Sequence, residues 1–341
     1  MRINVTRSSM PTFEEYCEEI RPLWDSHWLT NNGEKHIALR EALCDYLQSP
    51  EVELFTNGHL ALEALLAALA LEPGEIITTP FTFAATTHAL VRKGFTPVFA
   101  DVKQDGTIDP DCVEKLIGPN TRAILPVHVY GRPCDVDHLQ QIADAHGIPV
   151  IYDAAHAFGV SLNGVSAASF GTASMFSFHA TKVYHTIEGG CIATESEALA
   201  QALALERNYG ITGPEDVVTV GGNAKMNEFQ AAMGICNLRH IDQEIAKRKA
   251  VVERYRARLE NIPGIKLSVI QKDVQSNYAY FPVVFDGYKY SRDQVVALLK
   301  EKEILARKYF YPLTNAFPAI RPCPLRERKR HRLLIILQSV C

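Results

Sequence analysis

Residues 121–153 read TRAILPVHVYGRPCDVDHLQQIADAHGIPVIYD. The run 121–130 reads as a strand, 135–147 as a helix ending at glycine, and 148–153 as a second strand. The same alternation holds upstream. EVELF (51–55) is short and apolar, and GHLALEALLAALAL (58–71) is rich in the helix formers Ala and Leu. GEIITTP (74–80) and FTPVFADV (95–102) read as strands, FAATTHALVRKG (83–94) as a helix. DPDCVEKLI (109–117) opens on an Asp cap and reads as a helix. A βαβα rhythm of this kind predicts an α/β fold, a largely parallel sheet covered by helices on both faces. Ligands of such sheets sit at the carboxyl ends of strands, so chemistry is sought where apolar runs stop.

Downstream the helical content rises. Residues 227–262 carry apolar residues at helical spacing and predict one or two helices leading into a second domain. NYAYFPVVFDG (277–287) reads as a strand, and SRDQVVALLKEKE (291–303) as a Ser-capped helix. At 341 residues the chain is long enough for about two domains. Its 47% hydrophobic and 22% charged composition exclude a disordered chain, a collagen and a small disulfide scaffold. A net charge of −4 leaves no global basic footprint for nucleic acid. No stretch reaches the ~18 apolar residues that span a bilayer, and the charged start is unlike a signal peptide. Eight widely spaced cysteines without a CxxC predict reduced thiols of a cytoplasmic protein and no metal site.

Three strand ends carry polar groups. Phe55-Thr56-Asn57-Gly58-His59 joins a strand to a helix, whose free amino-terminal N–H groups and dipole favour a phosphate. Asp153 ends a strand and is followed at three residues by His156; a carboxylate there can hold a protonated ring nitrogen. Ser177-Phe178-His179-Ala180-Thr181-Lys182 ends another strand ahead of Glu188-Gly189-Gly190, and a partly buried lysine can form a Schiff base. Each has a plainer alternative: Asn57 as a helix cap, Asp153 as a cap of the next segment, Lys182 as an exposed lysine before a loop. Together they supply a phosphate cradle, a pyridinium-nitrogen carboxylate and a Schiff-base lysine, the set a pyridoxal phosphate enzyme requires. No GxGxxG follows a strand and no GxxxxGK[ST] occurs.

NGHLAL (57–62), PFTFAAT (80–86), DAAHAFG (153–159) and SFHATK (177–182) with EGG (188–190) resemble the sugar aminotransferases of the DegT/DnrJ/StrS type from about residue 20 to about residue 318. The resemblance implies a fold-type I, aspartate-aminotransferase-like architecture using pyridoxal 5'-phosphate. It implies that Lys182 binds the cofactor and shuttles protons, and that Asp153 pairs with the pyridine nitrogen. Phe83 would stack on the ring, although most Phe are core. His156 stands where many members have glutamine and would contact the ring hydroxyl. Gly58, His59 and Ser177 would hold the phosphate, His59 standing where many members have threonine. Asn223, in Gly222-Asn223-Ala224-Lys225, matches a segment that reaches the partner's phosphate across a homodimer, though the family's usual aromatic and arginine are absent beside it. Some relatives are dehydratases with histidine in place of the lysine; Lys182 favours transamination.

For substrate, the resemblance implies a dTDP-linked 4-keto-6-deoxyglucose with L-glutamate as amino donor, within the surface-polysaccharide sugars that are the family's common destination. Trp28, Thr30 and Asn31 lie in a segment like the entry loop of such members. Tyr184, His185, Arg307, Lys308 and Tyr311 are candidates for the nucleotide end. Alternatives are amination of the 3-keto isomer, a binding protein that kept the fold, and another fold-type I enzyme. The expected division is a large cofactor domain over 1–240 and a small domain over 241–341. After about residue 319 RERKRHR (326–332) and a short apolar run replace the family's closing segment, which predicts a truncated, frameshifted or divergent tail containing Cys323 and Cys341.

Overall fold

A computed structural model describes residues 2–320 and the backbone of 334–337. Three helices open the chain: α1 (Phe13–Ile20), α2 (Leu23–Ser26) and α3 (Glu34–Leu47). The alternating region follows as β1 (Glu51–Phe55), α4 (Gly58–Ala68), β2 (Glu75–Thr78), α5 (Ala84–Arg92), β3 (Thr96–Phe99), α6 (Pro110–Leu116), β4 (Thr121–Leu125), α7 (Val136–His146) and β5 (Ile151–Asp153). A short hairpin, β6 (Ser161–Leu162) and β7 (Val165–Ser166), leads into β8 (Ala173–Ser177), β9 (Gly190–Thr194) and α8 (Glu197–Glu206). The expected elements form, with shorter strands. Pro126 has no N–H to extend β4, and Tyr130 turns into the left-handed region at φ 61°. The strand expected through Tyr130 therefore stops at Leu125.

The main sheet runs β3-β2-β4-β5-β8-β9-β1. Ladders set β3-β2-β4 and β5-β8-β9-β1. Parallel bridges Ile124↔Val150 and Val127↔Asp153 join the two groups. β9 alone runs antiparallel to its neighbours β8 and β1. Alternate residues feed opposite faces. Tyr152 and Phe176 join a core with Leu39, Leu43 and Leu47 of α3. Ile151 and Met175 join another with Leu62 and Leu65 of α4 and Leu90 of α5. Both faces are thus buried, as a mainly parallel sheet requires.

Residues 227–262 form a single helix, α9 (Glu228–Leu259), capped by Asn227 in a reciprocal box with Gln230. It passes unbroken through 240, so the expected boundary lies inside a helix rather than in a linker. Beyond it come β10 (Ile265–Leu267), β11 (Val274–Gln275), β12 (Phe281–Phe285), α10 (Arg292–Glu301), β13 (Arg307–Tyr309) and β14 (Leu334–Leu337). β10-β12-β14-β13 is a second, antiparallel sheet with its own core of Val252, Phe281 and Val283. The apolar run of the tail thus provides a sheet strand. The rest of the expected altered tail, with Cys323 and Cys341, lies outside the described residues. Among the described residues no helix is long and apolar enough to cross a membrane.

Candidate active site

Asp153 is buried at the end of β5, level with Met175 of β8. Its Oδ2 accepts from Thr86 Oγ1 at 2.6 Å and its Oδ1 from the Ala155 N–H at 3.0 Å. Thr86 is linked in turn to Thr82 at 2.7 Å. Burial raises the Asp153 pKa, opposed by these two hydrogen bonds and by the charge of Lys182. Lys182 lies five residues beyond the end of β8, its N–H bonded to the His179 carbonyl. Loss of solvent pushes its pKa down to about 8, against the pull of Asp153. Near neutral pH about a tenth of such a lysine carries a free lone pair, far more than an ordinary one.

His156 is buried behind this pair. Its Nδ1 accepts the Tyr130 N–H at 3.1 Å, and its ring packs on Tyr280 with centroids 4.4 Å apart. Burial, then the neighbouring Lys182 charge, hold its pKa well below the usual value. A neutral ring accepting at Nδ1 carries its proton on Nε2 and donates from there.

The phosphate cradle is built on close approach. Gly190 of β9 lies under the first residue of α4: a Cβ there would come within 2.6 Å of the Gly58 N and Cα. A Cβ on Gly58 would meet Ser177 Cβ at 3.0 Å and the Met175 sulfur at 3.1 Å. Asn57 caps α4, but through the Leu60 N–H. The Gly58 and His59 amides are therefore left without a partner among the described residues, the usual state of a helix's first N–H groups. His59 Nε2 pairs with Glu63 at 2.9 Å, while its Nδ1 is buried without a hydrogen bond. Phe83, the residue before α5, is 63% exposed instead of joining the core.

Asn223 is exposed and bridges to Asn208; its neighbour Ala224 accepts the Thr56 N–H at 2.8 Å, which ties this segment to the end of β1. Trp28, Thr30 and Asn31 form an exposed loop closed by a 2.5 Å bond from Trp28 Nε1 to the Thr30 carbonyl. Arg307 binds the Tyr309 hydroxyl, Lys308 pairs with Asp293 at 2.9 Å, and Tyr311 lies under the Arg292 guanidinium at 4.7 Å. This segment reaches the site through Phe310, which stacks near-parallel to His156 and Tyr130.

Two substrate candidates are corrected. Tyr184 is 1% exposed and stacks on Phe158 at 4.3 Å, inside the core. His185, also 1% exposed, holds the Ser9 carbonyl with Nε2 at 2.5 Å. Both face protein because the chain after Lys182 dives under α9, where Asn237 binds the His185 carbonyl. Conversely Thr86, Tyr130, Tyr280 and Phe310 shape the site without having been singled out from sequence.

The arrangement fits pyridoxal phosphate. Two unpartnered amides and an orphaned imidazole nitrogen face oxyanion chemistry. A buried carboxylate suits a protonated ring nitrogen, an exposed phenyl suits a ring face, and a lysine of lowered basicity suits a carbonyl carbon.

The chain is similar in sequence and fold to known proteins. Residues 12–329 match the model of the DegT/DnrJ/EryC1/StrS aminotransferase family. A dTDP-4-amino-4,6-dideoxy-D-glucose transaminase of Escherichia coli is 42% identical over 324 residues, 94% of this chain and 86% of that protein. The solved structure of DesI in the presence of its TDP-sugar product superposes with a TM-score of 0.94 at 33% identity, covering 99% of this chain and 88% of that one. Helicobacter pylori PseC, an aminotransferase involved in pseudoaminic acid biosynthesis, gives 0.91 at 27% identity, with 99% and 94% covered. The chain has the α/β architecture of these aminotransferases and belongs to the DegT/DnrJ/EryC1/StrS aminotransferase family.

Proposed function

We propose that the protein is a pyridoxal phosphate-dependent transaminase that converts dTDP-4-keto-6-deoxy-D-glucose to dTDP-4-amino-4,6-dideoxy-D-glucose with L-glutamate as donor. The observation that carries the reaction type is the Lys182–Asp153 pair across the ends of β8 and β5, with the lysine's basicity lowered to about 8. The substrate rests on the 42% identity to the Escherichia coli transaminase and on the fold shared with a TDP-sugar enzyme.

When bound, the cofactor would supply a carbonyl carbon for the amino group and an electron sink for the carbon that loses a proton. The protein supplies the rest. Lys182 Nζ takes a proton from the donor's α-carbon and returns it to the acceptor side, a double role open to an amine titrating near neutrality. Asp153, aimed by Thr86 and the Ala155 amide, keeps a proton on the ring nitrogen. His156 Nε2–H would donate to the ring hydroxyl, while Gly58, His59 and Ser177 take the phosphate and Phe83 covers a ring face. Trp28, Thr30, Asn31, Arg307, Lys308 and Tyr311 remain the proposed substrate contacts.

A cytoplasmic homodimer is part of the proposal, with a large cofactor domain and a small one joined through α9. Val217, Val218 and Val220, which precede Asn223, are 67%, 62% and 92% exposed, and such an apolar patch suits an interface that would carry Asn223 to a partner. The decisive experiment is mass spectrometry and NMR of the product formed from dTDP-4-keto-6-deoxyglucose and glutamate. The expected product carries an equatorial amine at C4; an axial amine at C4 overturns the stereochemical part of the assignment, and an amine at C3, or no product, overturns the substrate assignment.

A further inference from the structure

A cavity of about 160 Å³ lies between the turn after β4 and the antiparallel sheet. Arg132 enters it from the turn and Arg256 from α9, with Ser268, Tyr280 and Phe281 on other walls. The partners of both guanidiniums are backbone carbonyls. Arg132 Nη2 donates to Val269 at 2.6 Å and Nη1 to Asp105 at 3.5 Å, and Arg256 Nη2 donates to Ser268. Among the described residues neither arginine forms an ion pair with a carboxylate. Glu253 also lines the cavity, but it is exposed and sits 4.0 Å from Lys249.

Two cations sharing one partly buried space repel each other. Arg132 shows the strain: burial holds its basicity below the ordinary value, the Asp105 carboxylate opposes this in part, and the Arg256 charge adds to the lowering. Both guanidiniums are half-buried and held by carbonyls rather than by a directly paired carboxylate, and a guanidinium's planar fork matches an oxyanion better than a carbonyl. Ser268, Gln271 and Ser276 add polar groups to the lining, and the rest is mainly apolar and aromatic. Tyr280 and Phe281 form part of the wall, and Val269 and Ile270, which also line the space, are 75% and 71% exposed. A charged end and an apolar body are the recognition pattern of a small-molecule pocket.

We propose that this cavity is a second ligand site that takes a small organic oxyanion, with the charged group between Arg132 and Arg256 and the apolar body against Tyr280 and Phe281. The site shares a wall with the candidate active site, since Tyr130 and Tyr280 line the cavity and also hold His156.

Calorimetric titration with phenyl phosphate at constant ionic strength tests it, on the full chain saturated with pyridoxal phosphate. Saturable binding is expected, about tenfold tighter than inorganic phosphate and weakened about tenfold or more by Arg256→Gln. Glu253→Gln, which removes a competing negative charge, should tighten it. Circular dichroism checks that both variants are folded. Absence of saturable binding overturns the proposal. So does unchanged binding in Arg256→Gln, which would place the anion elsewhere, or inorganic phosphate binding as tightly as the phenyl ester. Cofactor uptake is read separately from visible absorbance. Arg256 is not among the residues of the α4 cradle, so its effect tests this cavity even in protein that takes up no cofactor.

Discussion

At the scale of single residues, the chemistry of the site rests on where water is missing. Lys182 and Asp153 are both shifted toward their neutral forms by burial, and each partly restores the charge of the other. Reductive labelling of Lys182 by pyridoxal, followed by peptide mass spectrometry across pH, should rise with a midpoint near 8, well below that of surface lysines. Asp153→Asn removes the charge that holds the lysine's pKa up, so the midpoint should move lower still; a midpoint that rises contradicts the pairing. Both residues were legible in the sequence because Asp153 ends a strand-like run and Lys182 closely follows one, at the edge where ligands of such sheets bind. Thr86 was not. A threonine inside a helix looks like any core filler, and only the packing of α5 against β5 brings its hydroxyl to Asp153. Tyr184 and His185 fail in the opposite direction, since closeness to Lys182 in the chain says nothing about which way a side chain points.

At the scale of elements, the phosphate cradle exists because α4 begins almost on top of β9. Gly190 has backbone, not a movable side chain, in the path of a Cβ. Gly190→Ala should therefore cost roughly 1–3 kcal/mol in urea unfolding and weaken cofactor retention, because α4 must lift to make room. An unchanged midpoint and an unchanged cofactor content would contradict the tight approach. Gly189-Gly190 is visible in the sequence, but what Gly190 packs against, the first turn of α4, was set by β1 pairing with β9 across more than a hundred residues. The caps were local and readable: Asp109 and Ser291 each cap the helix expected of them.

For the whole molecule, the proposed dimer would cover the exposed valines before Asn223. Val220→Asp should shift the protein from dimer to monomer in light scattering and lower transaminase activity with it, since a charge in a desolvated interface is costly; a variant that stays dimeric removes this patch from the interface. The buried Arg207–Glu53 pair, at 3.0 Å, joins α8 to β1. Arg207 also donates to Asn32 and approaches His36, so the amino-terminal segment is fastened to the sheet by side chains distant in sequence. Alternating apolar runs, caps and turn glycines determined by themselves the succession of strands and helices, and hence the sheet edge where Lys182, Asp153 and Gly58 gather, because those signals act over a few neighbouring residues. The antiparallel placing of β9, the use of Leu334–Leu337 as a strand between β12 and β13, the burial of Tyr184 and the facing of Arg132 and Arg256 were decided only by tertiary structure. They depend on which surfaces meet across long separations, where water exclusion and like-charge repulsion act between residues that no local pattern connects.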